Sequence, residues 1–373
     1  MRIGFDAKRL FLNHSGLGNY SRTMVQAVAD SFSEDEFILY TPRTTANHRT
    51  SPFLTGKFEI RTPGQIPSFM RSWWRSIHLG NVVKDHNIDV FHGLSNELPR
   101  SIKKGNCKSV VTIHDLIFLR FPEYYPRFDR STYRRKVEQS LQDADAVVAI
   151  SERTKQDILE YFDVDAEKLH VIYQGCDRSF HVQRTEEEIE SVRQNHGINR
   201  PYLISVGTIE ERKNQMELVK AFLESNLSES HDLVLVGKAR KYANKISSLL
   251  SQHSNATTVK QLPNVSFKEL PALLQGAELS VYPSKYEGFG LPVLESLVCG
   301  VPVIAKTGSC LEETGGDSAR YYSDPNELPK LMESVVANST LRNEMIALGK
   351  LHAEKFDNSL MAQNYHELYE SLL

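Results

Sequence analysis

The amino-acid sequence is poor in cysteine and carries no excess of charge of either sign. Only four cysteines occur among 373 residues, and no two of them form a Cys-x-x-Cys pair. This scarcity argues against a disulfide framework and a structural zinc site, and it fits a reducing compartment. Lys and Arg number 44 against 47 Asp and Glu, which gives a net charge of −3. Without an overall positive field, we expect no nucleic-acid partner.

Long hydrophobic runs are also missing. The most apolar uncharged run, Ser296–Ala305, has ten residues and contains a glycine and a proline. A membrane-spanning helix needs about 20 apolar residues. The charges of Asp6, Lys8 and Arg9 interrupt the N-terminal stretch before a signal peptide could form. We therefore expect a cytoplasmic protein without a spanning segment.

Two stretches combine aromatic and basic residues, namely Arg71–Arg75 and Tyr124–Lys136. Helices of this composition can rest in a membrane interface. They also occur as ordinary surface or as the wall of an acceptor site, and the sequence leaves these alternatives open. One expectation is peripheral contact with the inner face of the cytoplasmic membrane.

Short β-rich apolar runs alternate with longer helical patterns, and the alternation occurs twice. The first series begins with the strand Met1–Asp6 and the second with the strand Tyr202–Gly207. Nearly continuous apolar strands are typical of parallel sheets covered on both faces. A polar linker over residues 174–196 separates the two series. The pattern predicts an α/β protein with two doubly wound, Rossmann-like domains, residues 1–178 and 190–356, facing each other across a cleft.

Ligands of such sheets bind at the carboxyl ends of the strands, so the loops after strands hold the candidate site residues. Gly16 and Gly18 lie after the first strand and before a helix predicted to begin near Asn19. Their amides could approach a phosphate at the helix N-terminus. The alternative is a tight turn that uses glycine at positive φ.

His114 is predicted to stand at the carboxyl end of a buried strand, and therefore at the mouth of the cleft. A histidine in this position can donate to a substrate hydroxyl or exchange a proton with it. The alternative is a structural histidine that bonds to the backbone.

Arg212 and Lys213 follow the strand Tyr202–Gly207 and precede a helix, whose dipole disfavours cations at that end. A phosphate held between these side chains and the helix amides would relieve the repulsion. The alternative is a solvated pair compensated by Glu210 and Glu211.

Two carboxylates mark the fourth candidate segment, a loop and the helix that follows it. From Gly288 to Ala305, Glu295 is the only charged residue, and a carboxylate in so apolar a stretch needs partners. It could accept hydrogen bonds from two neighbouring hydroxyls, as on a ribose. Glu287 lies directly before this stretch, in the loop after another predicted strand. The alternative interpretation of the two carboxylates is a capping carboxylate and a buried structural ion pair. No Walker A, Gly-x-Ser-x-Gly or His-Glu-x-x-His motif occurs, and we expect no metal and no cofactor.

Together these segments resemble the retaining, nucleotide-sugar-dependent glycosyltransferases of the GT-B fold, in the large bacterial group that includes mannosyl- and other hexosyltransferases. The most specific feature of the resemblance is the pair of carboxylates spaced as Glu287 and Glu295. The resemblance covers nearly the whole chain. The matching segments include VGTIEERKN (206–214), YPSKYEGFGLPVLESLVCGVPV (282–303), VTIHDL (111–116) and VAISERTKQDI (148–158).

The resemblance implies roles for the residues at matching positions, and the implied catalytic group is His114, Arg212, Lys213 and Glu287. Arg212 and Lys213 would hold the donor diphosphate. Glu287 and His114 would approach the donor sugar, and Glu295 would bind the ribose. The remaining implied donor-binding positions, which would act mainly through the backbone, are Gly16, Gly18, Gly207, Thr208, Val265, Gly288, Phe289, Gly290 and Leu291.

The chain departs from the family pattern at one position. Many relatives place an arginine directly after the Val-Gly, where this chain has Thr208. Whether Arg212 takes over that contact stays open. In similar proteins the last helix crosses back to the first domain, so we expect residues 357–373 to join it.

The implied activity is transfer of a hexose from a nucleoside-diphosphate sugar to a hydroxyl of a saccharide or lipid-linked acceptor. The resemblance further implies retention of configuration, independence of metal, GDP-mannose as the donor and a role in cell-surface polysaccharide or lipopolysaccharide synthesis. Two alternatives are left open. One is a nucleotide-sugar epimerase or phosphorylase-like enzyme of the same fold, and the other is a non-catalytic nucleotide-sugar-binding protein.

Overall fold

The computed structural model describes residues 1–104 and 106–373, and it divides into two compact units. The first unit is Met1–Cys176 together with Phe356–Leu373, and the second is Asp177–Lys355. Each unit has its own parallel sheet and its own hydrophobic core. The predicted α/β class, with two doubly wound Rossmann-like domains, is confirmed.

The described residues of the first unit form a seven-stranded parallel sheet. Its strands are β1 (Arg2–Asp6), β2 (Glu36–Tyr40), β3 (Glu59–Arg61), β4 (Val90–Gly93), β5 (Lys108–Ile113), β6 (Ala146–Ala149) and β7 (Leu169–Val171). They lie side by side in the order β3-β2-β1-β4-β5-β6-β7. The inner strands are buried along almost their whole length, as their continuous apolar sequences require.

The described residues of the second unit form a six-stranded parallel sheet. Its strands are β8 (Tyr202–Val206), β9 (Asp232–Val236), β10 (Val259–Leu262), β11 (Leu279–Tyr282), β12 (Val303–Lys306) and β13 (Arg320–Tyr322). They lie in the order β10-β9-β8-β11-β12-β13.

Helices connect the strands and cover both faces of each sheet. Those of the first unit are α1 (Lys8–Leu12), α2 (Gly16–Ser31), α3 (Met70–Trp73), α4 (Leu79–Lys84), α5 (Ile117–Arg120), α6 (Arg127–Asp143) and α7 (Glu152–Tyr161). A π-helical turn, Trp74–His78, joins α3 to α4. Those of the second unit are α8 (Glu186–Asn195), α9 (Gln215–Glu224), α10 (Leu227–Ser230), α11 (Lys241–Leu250), α12 (Leu270–Gln275), α13 (Leu291–Val298), α14 (Leu311–Gly315), α15 (Leu328–Ala337) and α16 (Ser339–Ala353).

The last helix, α17 (Asn358–Leu372), belongs to the first unit and packs against α2. Asp357 caps its N-terminus by accepting a hydrogen bond from the Ser359 amide. Two buried tyrosines of α17 form hydrogen bonds with the rest of the unit. The Tyr365 hydroxyl lies 2.7 Å from the Tyr20 hydroxyl of α2, and the Tyr369 hydroxyl lies 2.7 Å from the His92 Nδ1 atom of β4.

The order of strands reverses once in each sheet. In the first sheet the reversal lies between β1 and β4, and in the second it lies between β8 and β11. Loops that leave neighbouring strands in opposite directions open a crevice at their carboxyl ends, where ligands of doubly wound sheets bind. The residues that follow β1, β4, β8 and β11 are therefore the ones to inspect for a site.

Candidate functional site

Two loops converge at the reversal point of the second sheet. The loop after β8 holds Arg212 and Lys213, and the loop after β11 holds Glu287. A backbone hydrogen bond from the Lys285 amide to the Arg212 carbonyl, 2.9 Å long, ties the loops together. The Arg212 guanidinium adds a second tie, because its Nη1 atom donates to the Tyr286 carbonyl at 2.6 Å.

Glu287 lies between the two cations predicted to hold a phosphate. Its Oε2 atom is 2.8 Å from Arg212 Nη1, and its Oε1 atom forms an ion pair with Lys213 Nζ. Arg212 also pairs with Glu210 at 2.9 Å. The predicted compensation by Glu210 is thus present for Arg212, but Lys213 pairs with the distant Glu287 and not with its neighbour Glu211 in the ion pairs of the described residues.

Glu287 is ionised in this setting. Burial alone would raise the pKa of its carboxyl group, but the Arg212 and Lys213 charges and hydrogen bonds oppose burial and lower the pKa to about 2. The three side chains thus form a fixed cluster in which two cations face one carboxylate, in a place where little water screens them.

The loop from Glu287 to Gly290 is held by contacts that the sequence did not reveal. The Cys310 thiol donates to the Glu287 carbonyl at 3.1 Å, and the Thr314 hydroxyl donates to the Phe289 carbonyl. Gly290 adopts φ +99°, and a Cβ atom there would lie 2.7 Å from Leu311 Cδ2. A larger residue here would be strained by the left-handed backbone and would have to displace the Leu311 side chain.

The loop after β8 is held by a second network that sequence reasoning missed. Lys306 Nζ lies 2.8 Å from both carboxylate oxygens of Glu217, and the Tyr322 hydroxyl donates to the same carboxylate at 2.8 Å. The Asn214 side chain donates to Glu217 at 2.7 Å. Because Asn214 directly follows Lys213 and has φ +56°, this network fixes the backbone that presents the cations.

Glu295 is buried in the second turn of α13, with 4% of its surface exposed. Burial raises the pKa of the Cys299 thiol, one helical turn after Glu295, and the negative charge of Glu295 raises it further, to about 12. Burial likewise raises the pKa of the Tyr282 phenol, and Glu295 acts in the same direction. The helix α13 thus carries a buried acid directly after the loop of Glu287.

The other predicted donor-binding positions of the second unit lie around the same strand ends. Gly207 directly follows β8, and a Cβ atom there would lie 3.5 Å from Lys213 Cε. The Thr208 carbonyl accepts a hydrogen bond from Gln215 at 3.0 Å. Val265 lies in the loop after β10, and Gly288, Phe289 and Leu291 lie between Glu287 and the first turn of α13.

His114 lies in the first unit, just past β5, and is buried. Its Nε2 atom is 2.8 Å from the Leu94 carbonyl, and its ring packs edge-on against Tyr20. Burial lowers the pKa of the imidazole to about 4; the hydrogen bond to Leu94 opposes this and the Arg9 charge adds to it. The ring is therefore neutral near pH 7, and Nε2 carries the hydrogen that it donates to Leu94.

The alternative of a positive-φ turn at Gly16 and Gly18 is wrong. Both glycines are helical, because α2 begins at Gly16 and not near Asn19. The Asn13 side chain accepts hydrogen bonds from the Ser15 and Gly18 amides and so extends the helix by one turn. A Cβ atom at Gly18 would lie 1.9 Å from the Asn13 carbonyl, whereas one at Gly16 would meet no atom within 4 Å.

The aromatic and basic stretch Arg71–Arg75 is only partly a surface. Trp74 and Arg75 are buried, while Trp73 is half exposed. Arg75 lies in the π-helical turn and pairs with Asp6 at the end of β1. Trp74 and Arg75 are therefore part of the protein interior, and the prediction of a membrane-interface surface does not hold for these two residues.

Two kinds of feature are absent from residues 1–104 and 106–373. No helix in this part of the chain combines the length and the apolar composition needed to cross a bilayer. No group of three or more His, Cys, Asp or Glu side chains within it is arranged to hold a metal ion.

The two sheets and the charged cluster at a reversal point describe the architecture, and comparisons with protein families identify the class. Residues 14–180 match the model of Glycosyltransferase Family 4, and residues 187–352 match that of Glycosyl transferases group 1. The two matches together cover most of the chain. The protein belongs to the GT-B glycosyltransferases.

Individual relatives agree with this assignment. The chain is 26% identical to O-antigen chain mannosyltransferase B of Escherichia coli, over 95% of this chain and 96% of that one. It is 29% identical to the serotype-specific mannosyltransferase WbdA of Escherichia coli over 76% of this chain, but the match spans only 36% of that longer protein. The crystal structure of Anabaena Alr3699/HepE in complex with UDP-glucose has the same fold, with a TM-score of 0.79, 17% identity and full coverage of both chains.

Proposed function

We propose that this glycosyltransferase moves a mannosyl residue from a nucleoside diphosphate to a hydroxyl of a saccharide or lipid-linked acceptor, with retention of configuration and without a metal or other cofactor. The product would be a cell-surface polysaccharide or the O-antigen of lipopolysaccharide. The names of the two Escherichia coli mannosyltransferases support the sugar and the product class. GDP-mannose is the first donor to test, and the UDP-glucose bound by Alr3699/HepE makes UDP-sugars the second.

The observation that carries the proposal is the convergence of Arg212 and Lys213 at the reversal point of the second sheet. When a glycosyl phosphate bond breaks, negative charge develops on the leaving diphosphate. Cations that are already fixed in place stabilise that charge without reorganisation. In our proposal the diphosphate shares Arg212 and Lys213 with Glu287, and the neighbouring Glu287 carboxylate accepts hydrogen bonds from the hydroxyls of the donor sugar.

The rest of the donor would follow the loops of the second unit. Glu295 would accept hydrogen bonds from the ribose hydroxyls, and the backbone near Val265 would meet the base. Gly207 and Thr208, at the end of β8, and the segment 288–291 would offer backbone groups to the phosphates and the sugar. The position of Glu295 in the second turn of α13, the helix that directly follows the loop of Glu287, supports this role.

The first unit would supply His114 and the start of α2. His114 is neutral near pH 7, so we propose that it orients the donor sugar through hydrogen bonding and does not act as an acid. Gly16 and Gly18 would let the helix start approach the diphosphate, and the open space around Gly16 supports this. Retention would come from attack on the same face as departure, with a diphosphate oxygen taking the proton of the acceptor hydroxyl.

We also propose peripheral contact with the inner face of the cytoplasmic membrane. Phe69, Trp73 and Ile77 recur at every fourth residue along α3 and the π-helical turn, and all three are exposed, Phe69 by 80%. An apolar stripe on a helix near basic residues suits a lipid interface. Pelleting with anionic vesicles tests this: the Phe69→Ser variant should pellet less than the wild type, and equal pelleting would contradict it.

The transfer reaction is tested directly by incubating the enzyme with GDP-mannose or UDP-sugars and a mannosylated acceptor, with and without EDTA. We expect sugar transfer, with the same rate in the presence and absence of EDTA. If the configuration is retained, NMR should show an axial anomeric bond in the product of an α-linked donor. Lys213→Ala should lower the rate by roughly 10²–10³-fold, the range seen when a preorganised hydrogen-bond donor to developing charge is removed. Glu295→Ala should lower kcat/KM by about tenfold or more, because the ribose hydroxyls lose a charged hydrogen-bond acceptor.

Matched controls separate a site effect from a general loss of stability. Lys220 and Glu224 are exposed residues of α9, and Lys220→Ala and Glu224→Ala should keep the wild-type rate. Full transfer activity in both Lys213→Ala and Glu295→Ala would refute the proposed site. Donor binding without turnover on any acceptor would favour a non-catalytic nucleotide-sugar-binding protein.

A further inference from the structure

The last helix of the chain reaches the interior of the first unit through two tyrosine side chains. Tyr365 and Tyr369 of α17 are fully buried. The Tyr365 hydroxyl bonds to Tyr20 of α2, and the Tyr369 hydroxyl bonds to His92 of β4. Apolar rings of this size would fill the same space, and a buried hydroxyl costs free energy unless it is hydrogen-bonded. The two hydroxyl groups therefore point to a role beyond packing.

These two contacts belong to one continuous hydrogen-bond network. His92 Nε2 lies 2.8 Å from the Thr112 hydroxyl of β5, and that hydroxyl lies 3.0 Å from the Tyr20 hydroxyl. Tyr365 closes a triangle, because its hydroxyl lies 2.7 Å from that of Tyr20 and 3.4 Å from that of Thr112. The network thus joins α2, β4, β5 and α17, and none of its five side chains is more than 1% exposed.

The groups of this network are uncharged near pH 7. Burial raises the pKa of the Tyr20, Tyr365 and Tyr369 phenols, that of Tyr365 to about 12. Burial, and then the neighbouring His114, lower the pKa of the His92 imidazole to about 3. Each hydrogen bond therefore joins neutral groups, and a buried network whose members are all paired holds them in one arrangement.

Tyr20 connects this network to His114. Its hydroxyl bonds to Thr112, two positions before His114, and its ring meets the His114 ring edge-on, with 4.6 Å between the ring centroids and 83° between the planes. The His114 amide donates to Asn96 Oδ1 at 2.7 Å, and Nε2 lies 2.8 Å from the Leu94 carbonyl. Asn96 thus holds the backbone of His114, while Leu94 and Tyr20 hold its imidazole.

The orientation of this imidazole decides which hydrogen bond it can form with a ligand. Nε2 of His114 carries the hydrogen that it donates to Leu94, so Nδ1 is left as an acceptor. A sugar hydroxyl that faces His114 must therefore donate to Nδ1. Rotation of the ring would turn Nδ1 away from that hydroxyl, and the edge-on contact with Tyr20 opposes such a rotation.

We propose that Tyr20 and Tyr365 are positioning residues for sugar transfer. Tyr20 fixes the plane of the His114 ring, and Tyr365 holds Tyr20 in place from the last helix. This inference rests on the proposed function, in which His114 orients the donor sugar. Neither tyrosine contacts the donor in this arrangement, and both act through His114.

A double-mutant cycle tests whether Tyr20 acts through His114. Tyr20→Leu removes both the hydroxyl and the ring, and it should lower kcat/KM for sugar transfer by about tenfold, the effect of one lost hydrogen bond. In the His114→Ala background the same substitution should lower kcat/KM no further, because the residue that it positions is already gone. An equal decrease in both backgrounds would show a merely structural role and overturn the proposal.

Tyr365→Phe removes one hydroxyl from α17 and keeps the ring. It should lower kcat/KM by a smaller factor than Tyr20→Leu, because Thr112 still bonds to the Tyr20 hydroxyl. A wild-type kcat/KM in Tyr365→Phe would overturn the role of the last helix. If Tyr20→Leu fails to fold, Tyr365→Phe and His114→Ala form the same cycle, with the same two outcomes.

Two controls separate positioning from a general loss of stability. Tyr40 of β2 is also fully buried, and its hydroxyl lies 2.8 Å from His86 Nδ1, outside the network. Tyr40→Phe removes one buried phenol hydroxyl from the same unit and should keep the wild-type kcat/KM. Binding of GDP or UDP, which lack the sugar, should be the same in Tyr20→Leu and the wild type, and weaker binding in step with kcat/KM would count against positioning.

Nitrogen-15 NMR of the histidine-labelled enzyme tests the proposal without turnover. Wild type should show His114 in one tautomer, with hydrogen on Nε2, and the loss of its resonances in His114→Ala identifies them. In Tyr20→Leu the ring should leave Leu94 and exchange between tautomers, which averages the two nitrogen shifts. Identical His114 shifts in Tyr20→Leu and wild type would overturn the proposal.

The two experiments also separate this proposal from the proposed function. If the enzyme transfers no sugar from any donor, the proposed function fails, and the NMR spectra still show whether Tyr20 fixes the His114 ring. If transfer occurs and His114→Ala keeps the wild-type kcat/KM, the proposed role of His114 is refuted, and the positioning of sugar transfer by Tyr20 and Tyr365 is overturned with it.

Discussion

The Arg212 guanidinium lies 2.8 Å from the Glu287 carboxylate, although 75 positions separate them in the sequence. Lys213 pairs with the other oxygen of the same carboxylate. Glu287 therefore neutralises part of the charge that the proposed diphosphate needs, and it holds both cations in position. Its two effects on the donor oppose each other, and a single substitution can separate them.

Replacing Glu287 with glutamine should tighten the binding of a nucleoside diphosphate and slow sugar transfer. The diphosphate alone gains because the competing charge is gone, by on the order of tenfold for one charged hydrogen bond. Transfer loses because the sugar no longer meets a carboxylate. Calorimetry with GDP or UDP and a transfer assay measure the two effects, and weaker diphosphate binding in Glu287→Gln would count against the account.

The acid stability of the second unit should depend on Lys213. The pKa of Glu287 is about 2, because Arg212 and Lys213 outweigh the effect of burial. An ordinary glutamate has a pKa of about 4.3, so this group stabilises the fold above that pH, and the effect is lost as the pH falls towards 2.

Lys213→Met should raise the pKa of Glu287 and move that loss of stability to higher pH. Urea unfolding between pH 3 and pH 7 measures the shift, and Lys220→Met serves as the exposed control. A pH profile of Lys213→Met that coincides with that of the control would be inconsistent with the ion pair.

Gly290→Ala should destabilise the second unit. The backbone at Gly290 has φ +99°, and the added methyl group would lie 2.7 Å from Leu311 Cδ2. Overpacking of this kind costs about 1–3 kcal/mol, and the left-handed backbone adds to it. Thermal unfolding should show a lower midpoint than the wild type, and an unchanged midpoint would contradict the strain expected at Gly290.

Gly16→Ala should leave the fold as stable as the wild type, or stabilise it by up to about 1 kcal/mol, because alanine is favoured over glycine in helices. A Cβ atom at Gly16 meets no atom of the protein within 4 Å. If the donor diphosphate approaches this helix start as proposed, the methyl group will obstruct it and kcat/KM will fall. Wild-type kcat/KM together with an unchanged melting temperature would remove Gly16 from the donor site.

Much of the fold could be predicted because the apolar strands are continuous and the loops after them carry glycine. The strands predicted at Met1–Asp6 and Tyr202–Gly207 are present as Arg2–Asp6 and Tyr202–Val206, each within one residue of the predicted bounds. The three-residue edge strands β3 and β13 were not predicted, since so short a run has no readable period. The helix α1 was missed because its five residues carry no cap signal.

The site could be predicted less completely than the fold. The charges of Arg212, Lys213 and Glu287 stood out in loops after strands, but their pairing depends on which strands are neighbours, and local sequence does not contain that information. Cys310 and Thr314 hold the loop through backbone carbonyls. A hydrogen bond to a carbonyl leaves no trace in the residue that accepts it, so these supports were invisible from the sequence.

The central claim is that Lys213 and Arg212 hold the diphosphate of a sugar donor, and ³¹P NMR of a bound nucleoside diphosphate tests it most directly. Adding wild-type enzyme to GDP or UDP should shift and broaden the two phosphate resonances. Lys213→Ala should abolish the shift at the same concentrations, and the exposed control Lys220→Ala should preserve it. The same shift in Lys213→Ala and wild type would contradict the account.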